Sequence, residues 1–283
     1  MAELLKNKID FVAFAIVRNA NPNGDPLNGN RPRVNYDGYG EISDVCLKRK
    51  IRNRMQDLGN PIFVQSADRV DDGYESLSER AAGELKGIKD REKYAAEACQ
   101  KWLDVRSFGQ VFAFKSTDKN GVSVGVRGPV SIQMASSLSP VEVESQQITK
   151  SVNGEPAKGG RSSDTMGMKH FVQFGVYEIK GAINVQLAEK TGFTEEDAEV
   201  VKECLWTLFQ NDASSARPDG SMEISRLYWW RHNCRDGQYS SARVHDTVHV
   251  SLRDGVTVPR EFSDYQIELK NLPGLEPEII HGI

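Results

Sequence analysis

Residues 9–17, IDFVAFAIV, decide how the rest of the chain is interpreted. Apolar side chains occupy odd and even positions alike, whereas a half-buried strand would alternate apolar with polar residues. The pattern therefore predicts a strand at the centre of a sheet, covered on both faces. The segment is shorter than the roughly 18 apolar residues of a membrane span, so we expect a cytoplasmic protein that does not associate with a membrane.

The charge of the chain is unevenly distributed. Of its 283 residues 27% are charged and 39% hydrophobic, and the net charge is −4. Net charge alone disfavours a polyanionic partner, yet residues 18–54 carry eight lysines and arginines against four acids. Because a local basic field attracts polyanions whatever the net charge, nucleic acid stays open as a class of partner.

Two basic elements follow the first strand. A loop rich in Asn, Gly and Pro, 19-NANPNGDPLNGNRPR-33, ends in arginines. A helix is predicted at about 44–58, with Ser43 or Asp44 as its N-cap and Gly59 as its stop. Its apolar residues form one narrow stripe, with Lys48, Arg49 and Arg52 on one side and Lys50 and Arg54 on the other. We therefore expect one face to dock on the sheet and both rims to be positive.

The remaining segments predict an α+β protein. Residues 74–103 are charged and helix-prone and indicate an inserted helical unit. A long connection at 150–167, rich in Gly and Ser, exceeds the usual length of about 4–6 residues and is expected to be functional. Stripped of insertions, the order is βαββαβ, that of a ferredoxin-like core. A second helix is predicted at 194–210, and strands at 108–114, 122–138, 168–189, 225–232 and 242–252.

Three familiar motifs are only partly matched. Residues 19–24 fit the start of a calcium loop, but Asn30 stands where a bidentate Glu is required. His245 and His249 are predicted on one strand, about 13 Å apart, too far for one zinc ion. Residues 106–113 agree with an RNA-stacking motif at four of eight positions, and a plain core strand is the simpler interpretation. We therefore expect no metal and no cofactor.

The elements that remain suit single-stranded RNA. Lysines and arginines neutralise phosphates, Asn side chains and Gly amides hydrogen-bond sugars and phosphates, and apolar side chains insert between bases. The Asn-rich loop, the basic helix and the long basic loop, with methionines at its exit, supply all three kinds of group. The combination favours RNA binding that tolerates sequence variation.

Five blocks of sequence are more specific than any of these patterns alone: NANPNGDP (19–26), DVCLKRKIRN (44–53), DVRSFGQVFA (104–113), RGPVSIQMASSLSPVE (127–142) and DTMGMKHFVQFGVYE (164–178). Together, and in this order, they resemble the backbone subunit of type I CRISPR effector complexes (Cascade), of the RAMP superfamily. The likeness is nearest to the subtype I-C form. It spans most of residues 9–190, and the last third of the chain carries less of it.

The resemblance implies a modified RRM or ferredoxin-like palm at 1–59 and 104–283, a helical fingers insertion at 60–103 and a thumb hairpin at about 150–167. Several copies would stack head to tail along one CRISPR guide RNA, each thumb flipping out a base, while the remaining bases pair with the target DNA strand. The implied partners are the guide RNA, other copies of the chain, the subunit holding the guide's 5′ handle and the large PAM-reading subunit. The subunit itself would have no catalytic residue.

Carried onto this sequence, the resemblance implies guide-RNA contacts in four groups. The loop group is Asn21, Asn23, Arg31 and Arg33, and the helix group is Lys48, Arg49 and Arg52. A strand group, expected to line the same groove, is Ser131, Gln133 and Ser136. The thumb group is Met166, the candidate wedge beside the flipped nucleotide, with Lys150, Arg161 and Lys169.

Two other functions stay open. Related backbone subunits of type III complexes cut target RNA with a loop aspartate, and Asp25 is the acid nearest such a position. It has no obvious histidine or lysine partner to act as a general acid. The second alternative is a structural protein that oligomerises without RNA, which purification with or without bound RNA would distinguish.

Overall fold

The computed structural model describes residues 2–113, 123–149 and 166–282. Within these ranges no helix has the length and hydropathy needed to cross a membrane. The helices are α1 Asp44–Asp57, α2 Leu77–Glu84, α3 Arg91–Lys101, α4 Leu103–Phe108, α5 Val185–Thr191, α6 Glu195–Trp206 and α7 Ser241–His245. The strands are β1 Ile9–Ala20, β2 Gly24–Asp25, β3 Arg31–Pro32, β4 Tyr39–Ile42, β5 Gly109–Phe112, β6 Val124–Arg127, β7 Val130–Ile132, β8 Ala135–Pro140, β9 Val143–Thr149, β10 Met166–Ile183, β11 Met222–Arg231, β12 Val248–Leu252, β13 Tyr265–Leu269 and β14 Glu278–His281.

Strand β1 is the centre of the largest sheet, which confirms the prediction for residues 9–17. It pairs antiparallel with β10 on one side and β11 on the other. Phe11 and Ala13 point into one hydrophobic cluster, whereas Val12 and Phe14 point into a second cluster on the opposite face. Both faces of β1 are thus buried, which is why its sequence is apolar at successive positions.

The eight-stranded sheet has the order β14-β11-β1-β10-β8-β4, and β7 and β9 also pair with β10. Helices α1, α5 and α6 cover one face, where Leu47 and Val201 join the first cluster. Residues 241–275, which include α7, β12 and β13, cover the other face through Val244 and Tyr265. We call these residues the C-terminal cap. The sheet is therefore the middle layer of three.

Capping residues mark the starts of α1 and α6, the two helices for which the sequence gives the clearest start signals. The N–H of Cys46 donates to Ser43 Oγ at 3.2 Å at the start of α1, and Gly59 follows its end with a φ of +80°. At the start of α6 the Asp197 N–H donates to Thr194 Oγ1 at 3.1 Å, and the Asp197 side chain accepts the Thr194 N–H. Both start signals are confirmed, because each helix begins at its predicted cap.

The strand predicted at 242–252 is correct only in its second half. The N–H of Arg243 donates to Ser240 Oγ at 3.4 Å and starts the short helix α7, which ends at His245 before β12 begins. His245 therefore lies on a helix, and the strand spacing assumed for His245 and His249 was wrong. A short apolar segment does not distinguish strand from buried helix, which explains the error.

Two further predicted strands differ from the structure. The end of the predicted strand at 168–189 is helix α5, because Asn184 Oδ1 accepts the Leu187 N–H at 2.9 Å and caps it. The strand predicted at 108–114 exists as β5, but among the described residues it pairs with β6 alone, in a separate two-stranded sheet. Residues 106–113 therefore contribute no stacking strand to the large sheet, and α4 occupies the first part of that motif.

Helices α2 and α3 follow α1 and have a hydrophobic cluster distinct from those of the large sheet. A short 3₁₀ turn at Ala67–Arg69 and loops connect them to α1, and α4 and β5 follow. The members of the cluster come from this region and from β6: Phe63, Ala81, Leu85, Ala98, Cys99, Trp102, Val105, Phe112 and Val124. Helices α2 and α3 lie within residues 74–103, which the sequence predicts to be helical.

Strand β9 and the start of β10 form a two-stranded ribbon that leaves the sheet. The pairs run from Val143 with Val172 to Thr149 with Met166. Residues 145–149 of β9 are all exposed, so no other described element covers them. The predicted thumb at about 150–167 falls almost entirely outside the described residues, with only its last two residues included.

Candidate nucleic-acid interface

The loop at 21–33 is held in one shape by its own polar side chains. Asn21 Nδ2 donates to the backbone oxygen of Asn30 at 2.7 Å, and Asn21 is only 3% exposed. Asn23 Oδ1 accepts the Ser43 N–H at 2.9 Å and so ties the loop to the start of α1. Both predicted asparagine side chains therefore make hydrogen bonds within the protein, where they order the backbone that carries the arginines.

The two loop arginines have different surroundings. Arg33 Nη2 lies 3.3 Å from Asp25 Oδ1, an ion pair within the loop that leaves the arginine partly exposed. Arg31 instead points out of the loop and contacts Ser145 and His170 on the ribbon. The loop at 21–33 and the ribbon formed by β9 with residues 166–172 thus meet side by side, and we call them together the loop–ribbon surface.

Two bases of α1 are engaged close to the helix itself. Lys48 Nζ lies 3.0 Å from Asp44 Oδ2, one helical turn away and in a partly exposed position. Arg49 Nη1 donates to the Val64 carbonyl at 2.7 Å, and burial lowers the pKa of its guanidinium. Lys48 is the more accessible of the two, because only a mobile surface pair would need to open for it to reach a phosphate.

Two further bases of α1, Arg52 and Lys50, pair with acids of other segments. Arg52 Nε donates to Asp104 Oδ2 at 2.9 Å. Lys50, predicted on the positive rim, is 4% exposed and pairs with Asp212. The prediction for Lys50 was wrong because the segment after α6 packs over this side of α1 and supplies the neutralising carboxylate. The positive rims of α1 are thus largely neutralised within the chain.

The strand group faces away from α1. Side chains that pair directly across antiparallel strands point to the same face. Ser136 of β8 pairs with Glu178 of β10, and Glu178 in turn pairs with Phe14 of β1. Phe14 points to the face that the C-terminal cap covers, so Ser136 points to that face as well. The register places Ser131 on that face too, and both serines and Gln133 are exposed. Because α1 packs on the opposite face, the structure does not bring these residues onto one face with the helix bases.

Two apolar side chains are exposed at the outer end of the ribbon. Met166 and Met168 are 61% and 55% exposed. Gln147 Nε2 lies 2.7 Å from Met166 Sδ across the ribbon. Lys169 forms no ion pair with any described residue. The predicted contacts Lys150 and Arg161 lie outside the described residues.

The aromatic side chains at the centre of the sheet are not available for stacking. Phe14, Tyr228 and Trp230 lie on the cap face, where Phe14 and Tyr228 meet edge to face at 6.3 Å and Tyr228 stacks on Trp230 at 5.9 Å. All three are buried beneath the cap. RRM domains stack bases on exposed aromatics of this kind, so RNA binding by this chain needs another surface.

The described residues contain no group of three or more His, Cys, Asp or Glu side chains placed to hold a metal ion. The sequence also missed two residues of the loop–ribbon surface, Ser145 and His170. Ser145 lies in none of the five sequence blocks, and His170 lies in the last of them without a role assigned to it; the register of β9 against β10 brings them opposite Arg31. A cross-strand pair of this kind leaves no local signal in a sequence.

The three-layered α+β fold is shared with a solved structure described as "CRISPR RNA-guided surveillance complex, pre-nicking". The similarity has a TM-score of 0.52 and covers 88% of this chain and 84% of that one, at 17% identity. A family model described as "CRISPR-associated protein Cas7" matches residues 7–270, so the chain belongs to this family. A Haloferax volcanii protein, also described as "CRISPR-associated protein Cas7", is 28% identical over 243 residues, 81% of this chain and 70% of that protein. The family resemblance of the five sequence blocks is confirmed, and the I-C subtype stays a prediction.

Proposed function

We propose that the chain is the backbone subunit of a type I, I-C-like Cascade surveillance complex. In this role it binds a CRISPR guide RNA, oligomerises along it and leaves the guide bases free to pair with a target DNA strand in antiviral defence. Its further partners are other copies of the chain, the subunit at the guide's 5′ handle and the large PAM-reading subunit. Base pairing by the guide carries the specificity, so the protein needs no base-specific contacts.

One observation gives the main support for RNA binding by this member of the family. The basic, amide-rich loop lies directly against the ribbon that ends in exposed methionines. Arg31 joins the two elements. Backbone amides and Arg33 on the loop suit phosphates, and Met166 or Met168 suits insertion between bases. The loop–ribbon surface therefore combines electrostatic and stacking groups, which is the combination that sequence-tolerant binding of single-stranded RNA needs.

The architecture supports the same assignment. The strand order β11-β1-β10-β8, with α1 and α6 on one face, is what a ferredoxin-like or RRM-like palm of residues 1–59 and 104–283 requires. The separate hydrophobic cluster around α2 and α3 supports a fingers insertion at 60–103. The uncovered ribbon supports a thumb at about 150–167, since it leads out of the sheet at that point.

We propose that the subunit is not a nuclease. Asp25, the acid considered for RNA cleavage, accepts the Leu27 N–H at 3.2 Å and pairs with Arg33 at 3.3 Å. An arginine cannot give up its proton at neutral pH, so it makes a poor general acid. Asp25→Ala should leave target RNA intact, as with the unaltered chain. Cleavage of target RNA by the unaltered chain but not by this variant would establish the ribonuclease alternative.

The deciding experiment titrates the purified protein with a full-length guide RNA and with a scrambled RNA of equal length, followed by gel shift and size exclusion at several salt concentrations. We expect cooperative ladders that lengthen with the RNA, tolerate scrambling and weaken with salt, with a log–log slope of about −0.7 for each neutralised phosphate. A folded protein that oligomerises equally well without RNA, and whose assemblies do not respond to salt or RNA length, would establish the structural alternative.

A further inference from the structure

A single guanidinium joins the two halves of the loop–ribbon surface. Arg31 Nη1 donates to Ser145 Oγ at 2.7 Å and lies 3.4 Å from His170 Nδ1. Ser145 and His170 face each other as a pair across the ribbon, with Oγ and Nδ1 2.9 Å apart. These two Arg31 contacts are the only hydrogen bonds between described residues of the loop and of the ribbon. Arg31 therefore holds both ribbon strands at once.

The donors and acceptors of this group form a consistent chain. Arginine only donates, so Ser145 Oγ must accept from Arg31. The serine hydroxyl is then free to donate to His170 Nδ1, which requires the neutral imidazole with its proton on Nε2. The three side chains are thus joined to one another without a carboxylate.

The backbone that carries Arg31 is itself fixed. Arg31 pairs with Asp25 in the short β2–β3 ladder, and the Asn30 N–H donates to the Asp25 carbonyl at 2.8 Å. Asn30 lies in the left-handed region with φ +59°, held by the side chain of Asn21. The loop is consequently a rigid base from which the guanidinium reaches the ribbon.

We propose that Arg31, Ser145 and His170 form a clamp that sets the angle of the ribbon, so that Arg31 is a positioning residue and not a phosphate contact. The consequence for RNA rests on the proposed function, whereas the clamp belongs to the free protein. His170 precedes Val172, where the ribbon leaves the sheet, and follows Met166 by four residues, about 13 Å along the strand. A small rotation at the clamp therefore becomes a large displacement of the exposed methionines.

Amide hydrogen exchange of the RNA-free protein tests the clamp. Ser145→Ala removes the acceptor without changing charge, and we expect exchange in 143–149 and 166–172 to accelerate about threefold to tenfold, the range for losing one hydrogen bond. Ser145→Thr keeps the hydroxyl and should restore slow exchange. Arg33→Ala, which removes a loop arginine that does not touch the ribbon, should leave exchange in both segments unchanged. Unaltered exchange in both Ser145→Ala and Arg31→Ala would overturn the clamp.

Titration with RNA at several salt concentrations distinguishes whether Arg31 positions the ribbon or contacts a phosphate. If Arg31 positions the ribbon, Ser145→Ala and Arg31→Ala weaken binding by similar factors, and the log–log salt slope stays that of the unaltered protein. If Arg31 contacts a phosphate, only Arg31→Ala weakens binding, its slope falls by about 0.7, and the positioning role is overturned. Absence of RNA binding by the unaltered protein would count against the proposed function alone, because the exchange measurement still decides whether the clamp exists.

Discussion

Asp104 Oδ2 accepts a hydrogen bond from Arg52 Nε at 2.9 Å, and this pair joins α1 to α4. Asp104 is buried and also accepts the N–H groups of Phe63 and Val64 at 2.6 and 3.1 Å. The guanidinium of Arg52 lies over the Phe108 ring at 5.0 Å. Arg52 therefore ties α4 and the backbone at Phe63 and Val64 to α1, a role that its position in a basic cluster does not reveal.

Replacing Arg52 should destabilise the fold before any effect on RNA is measured. Arg52→Met keeps the apolar stem but leaves the Asp104 carboxylate buried with only its backbone donors, so we expect a loss of about 3 kcal/mol, near the low end for breaking a buried pair. Denaturant unfolding followed by circular dichroism measures it. Lys48→Met, which breaks a partly exposed pair on the same helix, should cost about 0.5 kcal/mol or less. Equal losses in both variants would contradict the structural role of Arg52.

Local signals in the sequence were sufficient for the elements whose ends they mark. Ser43 and Gly59 delimit α1, and Thr194 with Asp197 starts α6, because capping depends on residues three or four positions apart. Strand β1 was predicted because burial on both faces imposes a continuous apolar run. At 242–252, where Ser240 was not recognised as a helix cap and the apolar residues have no clear period, the assignment was half wrong.

The candidate site was predictable only as a set of basic and polar segments. Arg31 and Ser145 are 114 residues apart, and Arg52 and Asp104 are 52 apart, so their pairing depends on strand register and helix packing. The sequence shows how many bases lie near the loop but not which acids neutralise them. Lys50 is an example. The helical pattern places its charge on an exposed rim, but in the structure Lys50 is buried and pairs with Asp212.

A crowded glycine in β10 offers a test of the sheet register. A Cβ on Gly181 would lie 2.2 Å from Phe11 Cζ and 2.5 Å from the Ser131 carbonyl oxygen. Gly181→Ala should therefore cost about 1–3 kcal/mol, as overpacking does. Gly125→Ala is the matched control, because a Cβ there meets no atom within 4 Å; it should be neutral or stabilise by up to about 1 kcal/mol. Thermal unfolding of the two variants compares them, and similar midpoints would mean that β1, β7 and β10 are not in this register.

Two buried groups on the cap face should make stability depend on pH. Burial lowers the pKa of His245, although its hydrogen bond to the Gly181 carbonyl and the nearby Asp10 carboxylate act in the opposite direction. The folded protein then binds this proton less readily than the unfolded chain, so stability is lost as the pH falls below about 6.5. Burial disfavours ionised Asp10, but hydrogen bonds led by that from His232 hold its pKa below the ordinary value, so its contribution is lost below about pH 4.

We therefore expect the midpoint of thermal unfolding to fall between pH 7.5 and pH 5.5, and His245→Gln to reduce that fall. His249→Gln changes an exposed histidine of β12, four residues along, and should keep the pH dependence of the unaltered protein. Differential scanning fluorimetry at several pH values compares the three proteins. An undiminished pH dependence in His245→Gln would show that another group controls stability in this range.

The exposed methionines of the ribbon allow the wedge of the proposed RNA complex to be located. Met166→Ala removes apolar surface without removing charge, so RNA binding should weaken by about 1–3 kcal/mol for each base that loses its contact, if methionine resembles aromatic stacking. The salt slope should not change, because no phosphate contact is lost. Met134, at the turn between β7 and β8, is 55% exposed and gives the matched control Met134→Ala. A loss of RNA affinity confined to Met168→Ala would place the wedge two residues further along the same strand. Equal losses of affinity in Met134→Ala and Met166→Ala would mean that the ribbon has no special part in stacking.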